Sequence, residues 1–260
     1  MTILVGILCK DGVVVGADSA ATFHAGQTRT IEQVTKKIEI VADRVIVATT
    51  GAGGLGQRFT AVVAQAWQDK VFTNKPIEVG KALCAAGVKD FSSTAAPKGG
   101  FGALVAFPCQ QKPHLVEFTE ADFQPELKTE NIWYVSMGSG QTIADPFLGL
   151  MRQAFWDDGV PSCKDAEFVV TWILSQAIKL NAGGVNGPMQ IAVLQSSGGN
   201  LTARLLVPAA IEGHEDNVEG LIAHMRKYRD ILRGGKIATA PDVPKPSTVV
   251  EASTGKTAEL

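Results

Sequence analysis

Threonine in second position, in Met1-Thr2-Ile3-Leu4-Val5, carries both halves of a nucleophilic pair once Met1 is removed. One residue then presents a side-chain hydroxyl and a free α-amine. A hydroxyl is a weak nucleophile at its own pKa, and pairing it with an adjacent base activates it; an N-terminal amine on the same residue is one known form of that pairing. An α-amine titrates near roughly 7.7–8.0, which suits a general base working near neutral pH. Outward from Thr2, the next ionisable candidates are Asp18, in Val15-Gly16-Ala17-Asp18-Ser19, and the pair Lys36-Lys37. A lysine held by a carboxylate beside a hydroxyl supplies positive potential that favours loss of the hydroxyl proton. Taken singly, Asp18 also reads as a strand-end carboxylate and Lys37 as a solvated lysine.

Other patterns carry less chemistry. Gly51-Ala52-Gly53-Gly54-Leu55-Gly56 is a full G-x-G-x-x-G between a strand pattern and a helix pattern. It lacks the second half of a dinucleotide unit, a further parallel strand ending in an acid about 20 residues on. The glycines read instead as a tight turn from strand to helix. His24, His114, His214 and His224 show no metal-ligand spacing, and Cys9, Cys84, Cys109 and Cys163 form no C-x-x-C pair, so neither a metal site nor a disulfide framework is expected. No cofactor motif remains.

Composition sets the frame. The chain has 260 residues, 45% hydrophobic and 19% charged, with a net charge of −2. That describes a globular protein with a sizeable core and argues against nucleic-acid binding. No apolar run approaches the roughly 18 residues of a spanning helix, and no signal peptide opens the chain, so a cytoplasmic, non-membrane protein is expected.

The elements that must position Thr2, Asp18 and Lys37 are strands. Ile3–Leu8 and Val13–Ala17 flank Lys10-Asp11-Gly12, a hairpin signal. Ile38–Ala42 and Val45–Thr49 flank Asp43-Arg44 in the same way. Helical spacing follows at Leu55, Phe59, Val62, Val63 and Ala66, then after Pro76 at Val79, Leu83 and Ala86. Strand patterns return at Gly102–Phe107, His114–Phe118 and Asn131–Ser136. Helices are expected from Ile143 and over Asp165–Leu180, then closing strands at Met189–Leu194 and Leu201–Leu206 and a last helix over Val218–Leu232. Runs of strands alternating with pairs of helices suggest antiparallel sheets with helices outside. A domain over 1–234 is expected, with a disordered tail rich in Pro, Ala, Thr and Ser over 235–260.

Thr2, the run Lys10-Asp11-Gly12-Val13-Val14-Val15-Gly16-Ala17-Asp18-Ser19 and Lys36-Lys37-Ile38 together resemble the N-terminus of proteasome β-type subunits and the bacterial HslV peptidases. Similarity extends to about Leu206 and is nearest to the bacterial proteasome homologue subgroup. The resemblance implies an α+β fold, a four-layer αββα sandwich of two antiparallel sheets with helices on both outer faces (the Ntn-hydrolase fold). It implies Thr2 as nucleophile, Asp18 and Lys37 as its acid and lysine, and Ser139, in Gly138-Ser139-Gly140, beside the threonine and its amine. Thr49 falls where the family usually has the glycine whose N–H holds the oxyanion, and Ala21 and Gly53 fall in the specificity pocket. The family's Asp-x-x-Ser segment aligns with Asn181-Ala182-Gly183-Gly184, where Asn181 replaces the acid.

The expected function is therefore a threonine-type endopeptidase that cleaves unfolded polypeptide or peptide inside a homo-oligomeric ring, with an ATP-dependent unfoldase as a candidate partner. A ring-forming scaffold with little or no turnover is the alternative, motivated by Asn181; a small-molecule amidase is a third reading.

Overall fold

Lys10 and Asp11 turn the chain between two continuously apolar runs, and the two strands that result set the register of half the molecule. In the computed structural model, which describes residues 2–25, 28–94, 100–156, 159–180 and 184–234, β1 (Leu4–Cys9) pairs antiparallel with β2 (Gly12–Ala17), Leu4 opposite Ala17 and Cys9 opposite Gly12. The second hairpin is β5 (Ile38–Val41) with β6 (Val45–Gly51). Between them lie β3 (Ala20–Ala25) and β4 (Thr28–Val34), a separate two-stranded ribbon. The other strands are β7 (Phe101–Cys109), β8 (Lys112–Phe118), β9 (Pro125–Leu127), β10 (Tyr134–Met137), β11 (Gln190–Ser197) and β12 (Asn200–Leu205).

They make two five-stranded sheets, ordered β10-β1-β2-β11-β12 and β5-β6-β7-β8-β9, with every pairing antiparallel. Side chains alternate across each strand, so each sheet feeds two cores. Leu4, Val13, Val15, Ala48, Leu104, Ala106, Leu115, Ala192 and Leu194 form the core between the sheets. Val45, Val47, Val105 and Phe107, on the other face of the second sheet, pack with Phe59 and Val63 of α1 (Gly53–Gln68) and Val79 and Leu83 of α2 (Pro76–Ser92). Beyond the first sheet lie α3 (Gln141–Phe155) and α4 (Cys163–Lys179). The order helix, sheet, sheet, helix is the four-layer αββα arrangement.

Several boundaries move for identifiable reasons. α4 starts at Cys163 because the Ser162 hydroxyl accepts the Asp165 N–H in a reciprocal capping box, which satisfies amides left unpaired at the helix start. β3–β4 shows no apolar alternation that faces a core, β9 has only three residues, and the sequence pattern suggests no strand at either place. The compact unit spans Met1–Leu205, and α5 (Pro208–Leu232) lies in a second unit, Leu206–Leu260. The expected tail over 235–260 lies outside the described residues, as does Asn181. Among the described residues, no helix is long and apolar enough to cross a membrane.

The G-x-G-x-x-G segment joins β6 to α1, but the strand beside β6 is the antiparallel β7. A dinucleotide cradle needs a parallel βαβ unit. The glycines here serve the turn: Gly51 has φ 91°, and a Cβ on it would lie 1.8 Å from the Gly100 carbonyl oxygen.

Phe59 is fully buried and meets Phe101, Phe118 and Phe123 edge-on at 5.3–5.8 Å between ring centroids. Phe59→Ala should cost about 3–5 kcal/mol of stability, seen as a lower midpoint in denaturant unfolding.

Candidate active site

Strand register delivers the chemistry to one end of the sandwich. Leu4 lies opposite Ala17 on one side and Met137 on the other. The residues beyond these pairs, Thr2 and Ile3, Asp18, and Gly138 and Ser139, therefore meet at the strand ends. Two backbone bonds continue the ladders, Asp18 N–H to the Ile3 carbonyl (3.4 Å) and Gly140 N–H to the Thr2 carbonyl (3.1 Å). Lys37 comes from the other sheet, on the residue before β5.

The three ionisable or nucleophilic groups form one chain of contacts. Lys37 Nζ donates to Thr2 Oγ1 at 3.1 Å and to Asp18 Oδ1 at 2.7 Å. Asp18 is fully buried, and its carboxylate also accepts the N–H groups of Ile3 (3.0 Å), Ala20 (3.0 Å) and Asn186 (3.4 Å). Burial pushes the Lys37 ammonium below the ordinary lysine pKa of 10.5, against the attraction of Asp18, which raises it. Thr2 N donates to Ser139 Oγ at 3.1 Å, and the Ser139 hydroxyl in turn points to the Thr2 carbonyl at 3.4 Å.

Glycine flanks Ser139 for steric reasons. Gly138 has φ 87°, and a Cβ there would lie 2.4 Å from the Thr2 carbonyl oxygen; one on Gly140 would lie 2.7 Å from Ile3 Cβ. The Gly-Ser-Gly run thus lets the serine loop close directly over the Thr2 backbone.

Thr2, Asp18, Lys37 and Ser139 are therefore brought together. Thr49 is not. Its N–H donates to the Lys37 carbonyl at 3.2 Å, so that amide is already engaged. Its side chain lies on the helix-facing side of β6, where Oγ1 would be 2.6 Å from a Cβ on Gly56 of α1. Thr49 thus keeps its expected strand, with its amide committed to the Lys37 carbonyl and its side chain turned toward Gly56. Alternation from Ile46 and Ala48 puts Thr50 on the inner face, with Oγ1 within 3.1 Å of the point that a Gly138 Cβ would occupy. Ala21 stands in β3 opposite Gln33, and Gly53 opens α1 in an exposed position. Among the described residues, no hydrogen bond ties either to Thr2.

Sequence reasoning missed Gln190. Its Oε1 accepts the N–H groups of Lys37 (3.0 Å) and Ile38 (3.3 Å), while Nε2 donates to the Thr35 carbonyl (2.9 Å) and to Ser19 Oγ (2.7 Å). One amide side chain therefore clamps the segment that delivers Lys37. A glutamine at the start of an apolar strand gives no signal of this in sequence. Among the described residues, no group of three His, Cys, Asp or Glu could hold a metal ion.

Two antiparallel sheets between helix layers, with Thr2 at the mouth of the sandwich, define the N-terminal-nucleophile hydrolase fold. A model of the family described as Proteasome subunit matches residues 2–183, and the chain belongs to that family. One similar solved structure is the Gly-1 mutant of Anbu from Hyphomicrobium sp. strain MC1, with a TM-score of 0.67 and 10% identity over 88% of this chain and 100% of that one. At that identity the likeness is one of fold. No curated protein matches.

Two outcomes are expected of this geometry. Gln190→Leu leaves the Lys37 and Ile38 amides without their acceptor and frees the lysine segment; the rate at which an electrophile labels Thr2 should fall about 10²-fold, with Gln190→Glu, which keeps the acceptor, falling less. The second outcome concerns pH. The ammonium persists only below the lowered folded pKa, so Thr2 reactivity that depends on its charge declines as pH rises through that value. Asp18→Asn removes the interaction that raises the pKa, so the alkaline decline should move to lower pH, read from labelling rates against pH. In stability the sign is opposite: between the folded value and 10.5 the unfolded chain binds more protons, so this group's contribution rises with pH.

Proposed function

We propose that the protein is an N-terminal-threonine peptidase of proteasome type, acting on unfolded polypeptide inside a homo-oligomeric ring after Met1 is removed. One observation carries the reading: a single buried ammonium, Lys37 Nζ, donates both to the hydroxyl of Thr2 and to a carboxylate. A hydroxyl that accepts a hydrogen bond from an ammonium loses its own proton more readily. The acceptor for that proton is the α-amine of the same residue, steadied by Ser139 Oγ. Thr2 Oγ1 then attacks the peptide carbonyl, and the oxyanion takes backbone N–H donors near Thr49, whose own amide is engaged. The amine passes its proton to the leaving nitrogen, and a water activated by the amine hydrolyses the ester. Membership of a family of threonine-type hydrolases that assemble as rings supports both the chemistry and the chamber. The working compartment in this reading is the cytoplasm, and an ATP-dependent unfoldase would feed the chamber.

The ring-forming scaffold with little turnover remains the second reading, favoured by asparagine at position 181 where the family has an acid. One experiment separates them. Incubation with an electrophile selective for N-terminal threonine, followed by intact mass, should show chains without Met1 and with one adduct on Thr2, none in Thr2→Ala, and labelling about 10²–10³-fold slower in Lys37→Ala. Free Thr2 that stays unlabelled supports the scaffold; Met1 retained on essentially all chains overturns the peptidase.

A further inference from the structure

Glu120 follows β8 at the same end of the sandwich as Thr2, and nothing in the peptidase mechanism uses it. Its Oε1 accepts the hydroxyl of Thr50 at 3.0 Å. Thr50 is buried, on the inner face of β6, and its Oγ1 and the Thr2 carbonyl oxygen both lie within 3.1 Å of one point, the position of a Cβ on Gly138. Glu120 is thus one hydrogen bond removed from the nucleophile's surroundings.

The side chain is held inward by construction. Gly102 lies opposite Thr50 in β7, and a Cβ on it would sit 2.9 Å from Glu120 Cγ and 2.6 Å from Met137 Cε. The missing side chain is the space the glutamate stem occupies. The loop that carries Glu120 is pinned at both ends, since Phe118 and Phe123 pack on each other and on Phe59. Between them Thr119 Oγ1 donates to Asp122 Oδ1 at 2.6 Å, and the Phe123 N–H to the Thr119 carbonyl at 3.1 Å. The carboxylate is partly buried, yet among the described residues no cation pairs with it. Contrast Lys128, which holds both Glu117 and Glu126 at 2.6 Å. A carboxylate drawn from water without a countercharge is unfavourable, and a cation brought to it relieves that cost.

We propose that Glu120, oriented by Thr50, is a specificity-determining residue that receives a cationic side chain, arginine or lysine, close to the peptide bond Thr2 attacks. The proposal rests on the peptidase reading for its biological meaning, but its test does not require turnover. Calorimetry on the full-length Thr2→Ala protein compares matched tripeptide amides ending in arginine or in citrulline, which share shape and differ in charge. The arginine peptide should bind about 10–100-fold tighter, the usual gain of one charged hydrogen-bonded contact. Glu120→Gln added to Thr2→Ala should remove the difference, and Glu120→Asp should restore part of it. Equal binding of the two peptides, binding of neither, or a preference that survives Glu120→Gln overturns the proposal. The peptide pair decides the matter even where Glu120→Gln fails to fold. Failure of Thr2 to react with an electrophile strikes the peptidase reading and leaves this binding result standing.

Discussion

A positive charge from one sheet meets a negative charge from the other at the mouth of the sandwich, and the rest of the site is arranged around that contact. Lys37 precedes β5 and Asp18 follows β2, so their pairing at 2.7 Å joins the two sheets where the core between them ends. Drawing two charges out of water costs several kcal/mol for each ion, and the attraction between them offsets this only when the remaining polar atoms are satisfied. Here they are. Asp18 accepts three backbone N–H groups besides the ammonium, and the peptide groups on either side of Lys37 are held by Gln190 and Thr49. Such a pair adds little stability but is costly to break, which makes it a fixture that holds the surroundings of Thr2.

Rigidity follows from where Thr2 sits. Thr2 lies just before β1, between the ends of β2 and β10, and its carbonyl is bonded to Gly140 N–H and approached by Ser139. Neither loop that touches it is long enough to wander, because each begins at a strand end in fixed register. Catalytic hydrogen bonds need alignment within tenths of an ångström to be effective. Central strands of a packed sheet supply that alignment better than a surface loop would.

Much of this was legible in the sequence, for reasons that differ residue by residue. The hairpin turn before Gly12 and the apolar run Val13–Ala17 place Asp18 beside the chain start, because antiparallel pairing leaves no freedom in register. Lys37 was legible from its place before an apolar strand in family order. The family and fold followed from these same segments. What stayed hidden depends on side chains crossing between elements distant in sequence. Gln190 clamps Lys37 from more than a hundred residues away, and nothing local marks it. The ribbon β3–β4 was missed because Phe23, Ile31 and Val34 are exposed, so its apolar residues do not alternate against a core.

Thr49 shows how the face a side chain takes depends on its exact place along a strand. Both β6 and its neighbours were anticipated, but a one-residue shift along a strand moves a side chain to the opposite face. Val45 and Val47 point to the helices, Ile46 and Ala48 to the other sheet, and Thr49 follows the valines toward α1. It is Thr50 that faces Gly138 across the mouth, and the sharp turn at Gly51 ends the strand just after it. The glycine that resembles half of a nucleotide motif therefore stops β6 at the level of Thr2, so that the inner face of the second sheet ends there with a hydroxyl rather than an apolar residue. That hydroxyl donates to Glu120, and the polar surface continues from Thr2 onto the facing sheet.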